Sequence, residues 1–381
     1  MGSKELPKRA DLVDYNYAVA GHAGTLCDPD GELFIKPCTA QEIAFYESAK
    51  AEHPDFAELM PVYMGTLQLN DATDINSINE QIPGVADHIS QHMKEEVVKM
   101  AHEIQPQQST VDLHADWAPS VTKKIVTNTA IVLENAAHGY KHPNILDVKL
   151  GTRLWADDAP LKKRARFDQI ASETTHGDLG FRIAGMRVYK GTTDKSKLDE
   201  EGYLIYDKEF GKTQVKTHNV ASGFKKFIFN ESAKVDEELG KAVARAFLDD
   251  LRRVEQVLAA EESRMYSASL LFVFEGDGEA LRACVEETSA STTLSDKGSL
   301  DSSGVGSRST ARVDSGIAVD EDGEIIAAAE DESDMEDDLP RAYSLKLIDF
   351  AHAEWTPGQG PDENSLKGVR SLIRIFEELA D

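Results

Sequence analysis

The chain has 381 residues, which is long enough for two ordinary domains or for one two-lobed enzyme with insertions. Its formal net charge of -27 excludes general binding to nucleic acid or to anionic membranes, because both need a basic face. No run approaches the roughly 18 apolar residues of a membrane-spanning helix, and the first residues contain no apolar signal core. The three cysteines are widely spaced and indicate neither a disulfide framework nor a zinc site. We therefore expect a soluble intracellular protein without stable membrane insertion and without direct nucleic-acid binding.

The first 50 residues predict a strand, a turn, a second strand and a helix. Leu33–Lys36 is a short apolar strand that ends in a lysine, and Thr39 with Glu42 forms the capping-box pattern that opens a helix. Nucleotide kinases hold the α- and β-phosphates with a strand lysine supported by an acid on the next helix. Lys36 and Glu42 fit that arrangement. A lysine on a strand more often faces solvent, so both interpretations stay open here.

The next stretch predicts more of the same sheet and an insertion. Pro61–Leu67 reads as another strand, and Val85–Ile104 has the apolar spacing of an amphipathic helix within a polar stretch. The strand-rich run Lys124–Glu134 is followed by the irregular segment Asn135–Gly139. A two-lobed kinase would keep its hinge at this place and offer backbone groups to adenine.

The run Pro143–Gly151 predicts a strand with chemistry on one face. Residues i and i+2 of a strand point to the same side, so Asp147 and Lys149 are expected to project together beside Ile145. An acid that orients or deprotonates a hydroxyl, next to a lysine that neutralises phosphate charge, suits phosphoryl transfer. The alternative is an ordinary ion pair at a strand edge. The residues expected to pack behind the strand are Leu146, Val148 and Leu150.

A basic run follows the Asp147/Lys149 pair. Leu161–Arg166 holds four cations and is predicted to be a helix that begins at Pro160. A solvated helix face is the usual outcome for such a run. Its place just after the acid and lysine makes a site for a polyanionic substrate the second interpretation, and the local pattern does not decide between them.

The rest of the chain predicts a strand, a long helix and another strand before the composition changes. In the strand Gly180–Tyr189, Arg182 and Arg187 would lie on opposite faces if the strand is regular. Asp236–Ser263 has the spacing of a core helix, and Ser267–Glu275 is an apolar strand.

The segment from about 286 to 340 is rich in Ser, Thr, Gly and acids. Between Asp320 and Asp338 there are 11 acids and no Lys or Arg. Such a segment cannot bury enough apolar surface to offset its ordering entropy, so we expect a disordered loop. It could serve as an acidic interaction element, although a solvated insertion is the simpler interpretation.

The strand Ala342–Phe350 ends in the candidate metal ligand. An aspartate at the end of an apolar strand is costly unless it is paired or bound to a cation, which singles out Asp349. His352 follows three residues later and could face the same cleft. A last helix is predicted over Asp362–Leu379.

Four short motifs occur in order along the chain. They are Val19–His22, the Pro-x-x-x-Asp-x-Lys-x-Gly run at Pro143–Gly151, Ser269–Leu271 and Ile348–Phe350. Together they resemble the inositol polyphosphate kinase family, whose signature the second motif matches at every fixed position. The acidic segment, the short interval between Gly151 and Gly180, and four further runs are similar to the multikinases of fungal type. Those runs are Lys162–Arg166, Ser172–Thr175, Leu179–Ile183 and Pro357–Asn364.

The resemblance implies an α+β, two-lobed fold that is distantly similar to ATP-grasp enzymes and protein kinases, with antiparallel sheets and flanking helices. The ATP-binding lobe would span residues 1–137, with a helical insertion at about 71–122. The second lobe would span 138–381 and contain an inositol-phosphate-binding helical segment at about 155–180 and the acidic loop at about 286–340.

The resemblance also implies roles on the nucleotide side. Lys36 would hold the ATP phosphates with support from Glu42. Glu134 and Ala136 would meet adenine at the hinge. Asp349 would contact the nucleotide through Mg2+. The residues that would hold this Mg2+ are Asp349 and Ser269.

On the acceptor side, Asp147 would orient or deprotonate the attacking hydroxyl, and Lys149 would bridge acceptor and γ-phosphate. The side chains that would bind inositol phosphates are Lys162, Lys163, Arg166, Arg187 and His352. Which cations of residues 162–166 face the site stays open.

The implied activity is that of a multikinase which phosphorylates inositol 1,4,5-trisphosphate and tetrakisphosphates with ATP and Mg2+. The alternatives are an inositol-trisphosphate 3-kinase or a hexakisphosphate kinase of the same family, or a transcriptional or scaffold partner that acts through the acidic loop. A protein kinase is disfavoured, because its Gly-rich loop, His-Arg-Asp and Asp-Phe-Gly motifs are missing from the sequence. We expect a monomer in nucleus and cytoplasm, with transcription regulators as partners of the acidic loop.

Overall fold

The computed structural model describes residues 12–15, 17, 19, 24–69, 127–192, 194, 196–286 and 342–381. The predicted insertion at about 71–122, with its helix over Val85–Ile104, lies outside these residues. So do the acidic loop, apart from residue 286, and residues 20–22 of the first motif.

The first sheet holds the strands predicted before the hinge. They are β1 (Val13–Asp14), β2 (Leu26–Cys27), β3 (Leu33–Pro37), β4 (Tyr63–Gln68) and β5 (Thr129–Glu134). They pair antiparallel in the order β1-β2-β3-β5-β4. The strands predicted at Leu33–Lys36 and Pro61–Leu67 are thus confirmed as members of one sheet.

Two helices, α1 (Ala40–Glu52) and α2 (Pro54–Glu58), follow β3. Thr39 caps α1, and its Oγ1 accepts a hydrogen bond from the backbone N–H of Glu42 at 3.3 Å. In a complete capping box, the Glu42 carboxylate would accept a hydrogen bond from the backbone N–H of Thr39. Here the carboxylate turns instead to Lys36, so the helix start places an acid beside the strand lysine.

The second sheet holds the predicted catalytic strand. The strands of this half are β6 (Pro143–Leu150), β7 (Phe181–Tyr189), β8 (Tyr203–Tyr206), β9 (Ser263–Met265), β10 (Ser269–Glu275), β11 (Tyr343–Ile348) and β12 (Ala353–Trp355). The large sheet has the antiparallel order β11-β10-β6-β7-β8, and β9 pairs with β12 separately. The catalytic strand β6 is therefore central, with two neighbours on either side.

This half of the chain also contains α-helices. They are α3 (Leu161–Glu173), α4 (Thr175–Leu179), α5 (Val220–Ile228), α6 (Glu237–Ala260) and α7 (Glu363–Ala380). The rings of Phe376 on α7 and Phe272 on β10 stack with centroids 5.4 Å apart, and Phe247 on α6 meets both edge-on. Among the described helices, none is long and apolar enough to cross a membrane.

One hydrophobic core joins the two sheets. Phe45 on α1 stacks on Phe350 and Trp355, with ring centroids 5.0 and 4.6 Å away, so the first helix is held against the segment after β11. The alternation predicted for β6 is confirmed, because its even-numbered apolar residues lie in this core and Ile145 packs on the opposite face. The residues in the core are Leu146, Val148 and Leu150.

A β-bulge in β7 changes which arginines share a face. Asp147 pairs with Gly185 but Val148 pairs with Ile183, which leaves Ala184 as an extra residue. Arg182 then lies opposite Lys149 and Arg187 lies opposite Ile145. Opposed residues in antiparallel strands lie on the same face. The two arginines therefore lie on the face of Asp147, whereas a regular strand would separate them.

Candidate active site

Asp147 and Lys149 project together from β6, as their spacing predicts. The Asp147 side chain is buried, and its Oδ1 makes no hydrogen bond within the described part of the chain. Lys149 Nζ donates to the carbonyl oxygen of Ser267 at 2.7 Å. Burial raises the pKa of Asp147 to about 6, against the opposing effect of the Lys149 charge. The carboxyl group is thereby held at a pKa at which it can exchange a proton near neutral pH.

Lys36 lies buried between two carboxylates. Its Nζ is 2.7 Å from Glu42 Oε1 and 2.7 Å from Asp349 Oδ1. Burial alone would lower the pKa of Lys36, but these two carboxylates outweigh it and raise the pKa above its ordinary value. The strand lysine therefore does not face solvent, and the predicted contact with Glu42 is formed.

Asp349 joins the two lysines of the site. Its Oδ2 lies 3.8 Å from Lys149 Nζ, while Oδ1 accepts from Lys36. Asp349 has φ +70° and Ser267, which supplies the carbonyl for Lys149, has φ +65°. This left-handed conformation is uncommon for residues other than glycine and is maintained only where the surroundings enforce it. Both groups that contact Lys149 thus come from strained backbone.

The site offers a partial set of metal ligands. Ser269 is fully buried, and in the strand register it pairs with Ile348, the residue before Asp349. Its Oγ lies near the Asp147 carboxylate but makes no well-formed hydrogen bond within the described ranges. No three His, Cys, Asp or Glu side chains converge on one point among the described residues, at this site or at any other. One carboxylate with an unused hydroxyl fits Mg2+, which takes its remaining ligands from water and substrate phosphates.

A cleft between the sheets ends at these groups. Glu134 and Ala136 line it, as predicted for the hinge, but the Glu134 carboxylate is already 3.2 Å from Lys346 Nζ. The walls are mostly apolar, and charged groups lie at both ends, Glu134 at the hinge and Lys36, Asp147 and Asp349 at the other. The other lining residues are Tyr15, Tyr17, Val19, Thr25, Phe34, Lys36, Tyr46, Pro61, Leu133, Asn135, Ala137, Ile145, Leu271, Ile348 and Asp349.

The basic run lies on α3, which begins after Pro160 as predicted. Lys162 and Arg166 are exposed, whereas Lys163 is half-buried, with Nζ 5.9 Å from the centroid of the Phe167 ring. Burial lowers the pKa of Lys163. Arg164 donates to the carbonyl oxygen of Ala159 at 2.7 Å. The helix therefore presents its cations in different environments, and Lys163 is the least solvated of the three predicted ligands.

Arg182, which the sequence did not single out as a ligand, lies next to Asp147 and Lys149. It is buried opposite Lys149, and its Nε makes no hydrogen bond within the residues described. Burial lowers the pKa of Arg182, and the Asp147 carboxylate opposes this effect. The available signal was the presence of two arginines, Arg182 and Arg187, in an otherwise apolar strand.

The other two predicted acceptor ligands lie apart from α3. Arg187 is at the hinge end of β7, where its Nη2 is 3.3 Å from Asp199 Oδ2 and also contacts Glu201. His352 follows Asp349, and its carbonyl oxygen accepts from the N–H of Tyr266 at 3.2 Å. The structure thus places His352 near Ser267, whose carbonyl oxygen accepts from Lys149, but it does not bring Arg187 to the basic helix.

The turn after β6 is fixed by three elements. Gly151, with φ +94°, donates from its N–H to Gly180 O at 2.7 Å, and its carbonyl oxygen accepts from buried His176 Nδ1 at 2.7 Å. Burial lowers the pKa of His176 to about 3, so the ring is neutral. Asn364 Oδ1 accepts from the N–H groups of Thr152 and Arg153 at 2.8 and 2.9 Å. The end of β6 is therefore tied to α4 and α7.

Comparison with known proteins agrees with this geometry. The model of the inositol polyphosphate kinase family matches residues 130–377, which include the catalytic strand, the basic helix and Asp349. The chain belongs to the inositol polyphosphate kinase family. This kinase is 30% identical over 390 aligned residues to the inositol polyphosphate multikinase of Saccharomyces cerevisiae, across 94% of this chain and 96% of that protein.

Two further similarities extend over almost the whole kinase. It is 26% identical over 372 residues to the inositol polyphosphate multikinase of Schizosaccharomyces pombe, across 96% of this chain and 97% of that protein. The crystal structure of the inositol phosphate multikinase from Saccharomyces cerevisiae with ADP and Mn2+ matches with a TM-score of 0.54 at 26% identity, covering 92% of this chain and 100% of that chain. The predicted two-lobed α+β fold is confirmed.

Proposed function

We propose that this protein is an inositol polyphosphate multikinase. It transfers the γ-phosphate of ATP to hydroxyls of inositol 1,4,5-trisphosphate and of tetrakisphosphates, giving tetrakis- and pentakisphosphates. The observation that carries this proposal is the convergence of Asp147, Lys149, Lys36 and Asp349 at one end of a cleft. The basic helix α3 follows β6 in the chain. Similarity over nearly the full length of two multikinases supports it over a trisphosphate 3-kinase or a hexakisphosphate kinase.

The nucleotide side of the mechanism follows from the ion pairs of Lys36. Its ammonium group would bind the ATP phosphates while Glu42, buried behind it, keeps it charged and in place. The backbone at Glu134 and Ala136 would bind adenine. A divalent cation held by Asp349 and Ser269 would neutralise phosphate charge.

On the acceptor side, Asp147 would accept the proton as the hydroxyl oxygen forms its bond to the γ-phosphorus. The bond from phosphorus to the β,γ-bridging oxygen breaks, and ADP leaves with that electron pair. Lys149, oriented by the Ser267 carbonyl, would neutralise the charge of the transferred group. Cations from α3 and Arg182 would bind the phosphates of the acceptor, with His352 at the rim. The α3 cations in this set are Lys162, Lys163 and Arg166.

The product pattern tests the proposal. Purified full-length protein is incubated with ATP, Mg2+ and each inositol phosphate isomer, and the products are separated by chromatography. A multikinase converts the 1,4,5-trisphosphate to a tetrakisphosphate and then to a pentakisphosphate. A single tetrakisphosphate as the end product would favour a 3-kinase, and turnover of hexakisphosphate alone would favour a hexakisphosphate kinase. No inositol phosphate product at all would overturn the proposal.

The pH profile is predicted from the raised pKa of Asp147. As a base, Asp147 must be ionised, so kcat/KM for Mg–ATP is expected to fall about tenfold per pH unit below about pH 6 and to level off above it. Initial rates from pH 4.5 to 8 at constant ionic strength measure this. Lys163→Met is a control that should weaken acceptor binding while keeping the inflection. A profile that is flat down to pH 5 would contradict a proton-accepting role.

Several expectations from the sequence are carried forward as part of the proposal. The lobes would meet at residues 137 and 138, and the acceptor would bind within the segment at about 155–180. The proposal also places the protein in nucleus and cytoplasm as a monomer. Transcription regulators would bind the acidic segment at about 286–340, whose charge is the support for this role.

A further inference from the structure

The guanidinium group of Arg187 contacts two carboxylates and two aromatic rings. It is buried, and Nη2 contacts the carboxylates of Asp199 and Glu201, which precede β8. The guanidinium carbon lies 4.0 Å from the centroid of the Tyr203 ring and 4.8 Å from that of the Tyr17 ring. Desolvated contacts of this kind are among the stronger cation–π interactions. The arrangement connects strand β7 of the second sheet to a residue near the amino terminus.

Tyr17 belongs to a short segment that forms one wall of the cleft. We refer to its described residues Tyr15, Tyr17 and Val19 as the cleft strap; all three line the cleft. At the hinge end, the hydroxyl group of Tyr15 donates to Asn135 Oδ1 at 3.2 Å. The Tyr15 ring also meets the Phe34 ring edge-on at 4.8 Å. The strap is thus anchored to the first sheet and to the hinge.

The other end of the strap lies over the bulge of β7. A Cβ atom at Gly185 would be 2.3 Å from the carbonyl oxygen of Val19, so only glycine allows this approach. Gly185 is opposite Asp147 in the strand register. The strap therefore runs from the hinge towards the catalytic carboxylate, and Arg187 contacts it midway, through Tyr17.

We propose that Arg187 is a positioning residue for the nucleotide, which acts by holding the cleft strap through Tyr17, and that it does not bind the inositol phosphate. The inference rests on the proposed function for the identity of the nucleotide. The inference assigns different roles to the two arginines of strand β7. Arg187 holds a wall of the nucleotide cleft in place, whereas Arg182, which lies opposite Lys149, binds the acceptor.

The test separates nucleotide affinity from acceptor affinity. Arg187→Met and Tyr17→Leu are each expected to weaken Mg–ADP binding by about tenfold, the size expected for a desolvated cation–π contact. The KM for inositol 1,4,5-trisphosphate should change less than about twofold. Tyr17→Phe keeps the ring and should bind Mg–ADP nearly as the unmodified protein does. Titration calorimetry gives the nucleotide affinities, and initial rates give both KM values.

A double variant and two control variants sharpen the result. Arg187→Met combined with Tyr17→Leu should bind Mg–ADP no more weakly than the weaker single variant, because both remove the same contact. Arg182→Met should raise the KM for the inositol phosphate and leave Mg–ADP affinity unchanged. Arg252→Met removes an exposed ion pair with Glu377 on the helical face and should change neither constant.

Each outcome decides a different claim. Absence of Mg–ADP binding by the unmodified protein would overturn the proposed function. Normal Mg–ADP affinity in Arg187→Met and Tyr17→Leu would overturn only the inference about Arg187. A raised KM for the inositol phosphate in Arg187→Met, without a nucleotide effect, would restore Arg187 to the acceptor site. If Arg187→Met fails to fold, Tyr17→Leu and Tyr17→Phe decide the question, because they leave the buried arginine in place.

Discussion

Replacing Asp147 with Asn is expected to abolish phosphoryl transfer and, at the same time, to stabilise the fold. The amide cannot accept the acceptor's proton, and loss of a catalytic base typically costs about 10²–10⁴ in rate. Asn has nearly the same shape, so Lys149 keeps its contact with the Ser267 carbonyl. Nucleotide affinity should therefore stay close to that of the unmodified protein, because Lys36 and Asp349 are untouched.

The gain in stability follows from the sign of the pKa shift. Asp147 has a pKa of about 6 in the fold against 3.8 as the ordinary value, so the folded state binds its proton more tightly than the unfolded state does. Ionising this buried carboxyl group therefore costs stability at neutral pH, on the order of 2–3 kcal/mol. Asn avoids that cost. The advantage of the variant should be small below pH 4, grow as the pH rises to 6 and be constant above it.

Chemical denaturation at pH 4, 5, 6 and 7 measures this advantage, and coupled ADP release measures turnover. Asp168→Asn is a suitable control, since it changes an exposed carboxylate on α3. Full activity in Asp147→Asn would exclude the carboxylate from the chemistry. A variant that is less stable than the unmodified protein at pH 7 would contradict the sign derived from burial.

Replacing Lys36 with Met is expected to destabilise the protein strongly as well as to abolish ATP binding. Glu42 is fully buried, and Lys36 Nζ at 2.7 Å is the cation that compensates its charge. Removing one member of a buried ion pair costs about 3–5 kcal/mol, because the remaining charge is left without compensation. The second carboxylate, on Asp349, would also lose its nearest cation, although it keeps Lys149 at 3.8 Å.

The double variant Lys36→Met with Glu42→Leu separates stability from function. Replacing a buried ion pair by apolar residues of similar volume is often close to neutral for stability. We therefore expect the double variant to regain most of the lost stability while still failing to bind Mg–ATP. Arg253→Met, which removes an exposed ion pair with Glu58, should change stability by less than about 0.5 kcal/mol. Thermal unfolding and calorimetric titration report the two properties.

Two results would contradict this account of Lys36. If the single variant were as stable as the unmodified protein, the ion pair would not hold Glu42 in the fold. If the double variant bound Mg–ATP normally, Lys36 would have no part in phosphate binding.

Local sequence patterns predicted two parts of the site, the shared face of Asp147 and Lys149 and the start of α1. The face shared by Asp147 and Lys149 follows from the two-residue period of a strand, and the start of α1 follows from Thr39 as its cap. The shared strand face and the helix start are both confirmed by the structure. The capping pattern also brought Glu42 near the sheet, but its contact with Lys36 depends on how α1 packs against β3.

Tertiary packing determined the parts that the patterns did not predict. The bulge at Ala184 adds one residue between Arg182 and Arg187, and nothing in the alternation of β7 marks it. As a result, the sequence separated two arginines that share a face. The named partners of Arg187 come from two separate segments of the chain, Tyr17 and residues 199–203, which local rules do not bring together. The left-handed backbone at Asp349, whose carboxylate contacts two lysines, is likewise not marked by the local pattern.

The hydrogen bond from the Gly151 N–H to the Gly180 carbonyl oxygen brings together the two ends of the proposed acceptor-binding segment. Residues 152–179 leave the sheet and return to it at one point, where His176 and the first turn of α7 secure the junction. The length and charge of the segment can then vary without shifting the catalytic strand. Under the proposed function, substitutions within residues 152–179 would change which acceptor is bound while Asp147 and Lys149 keep their places on β6.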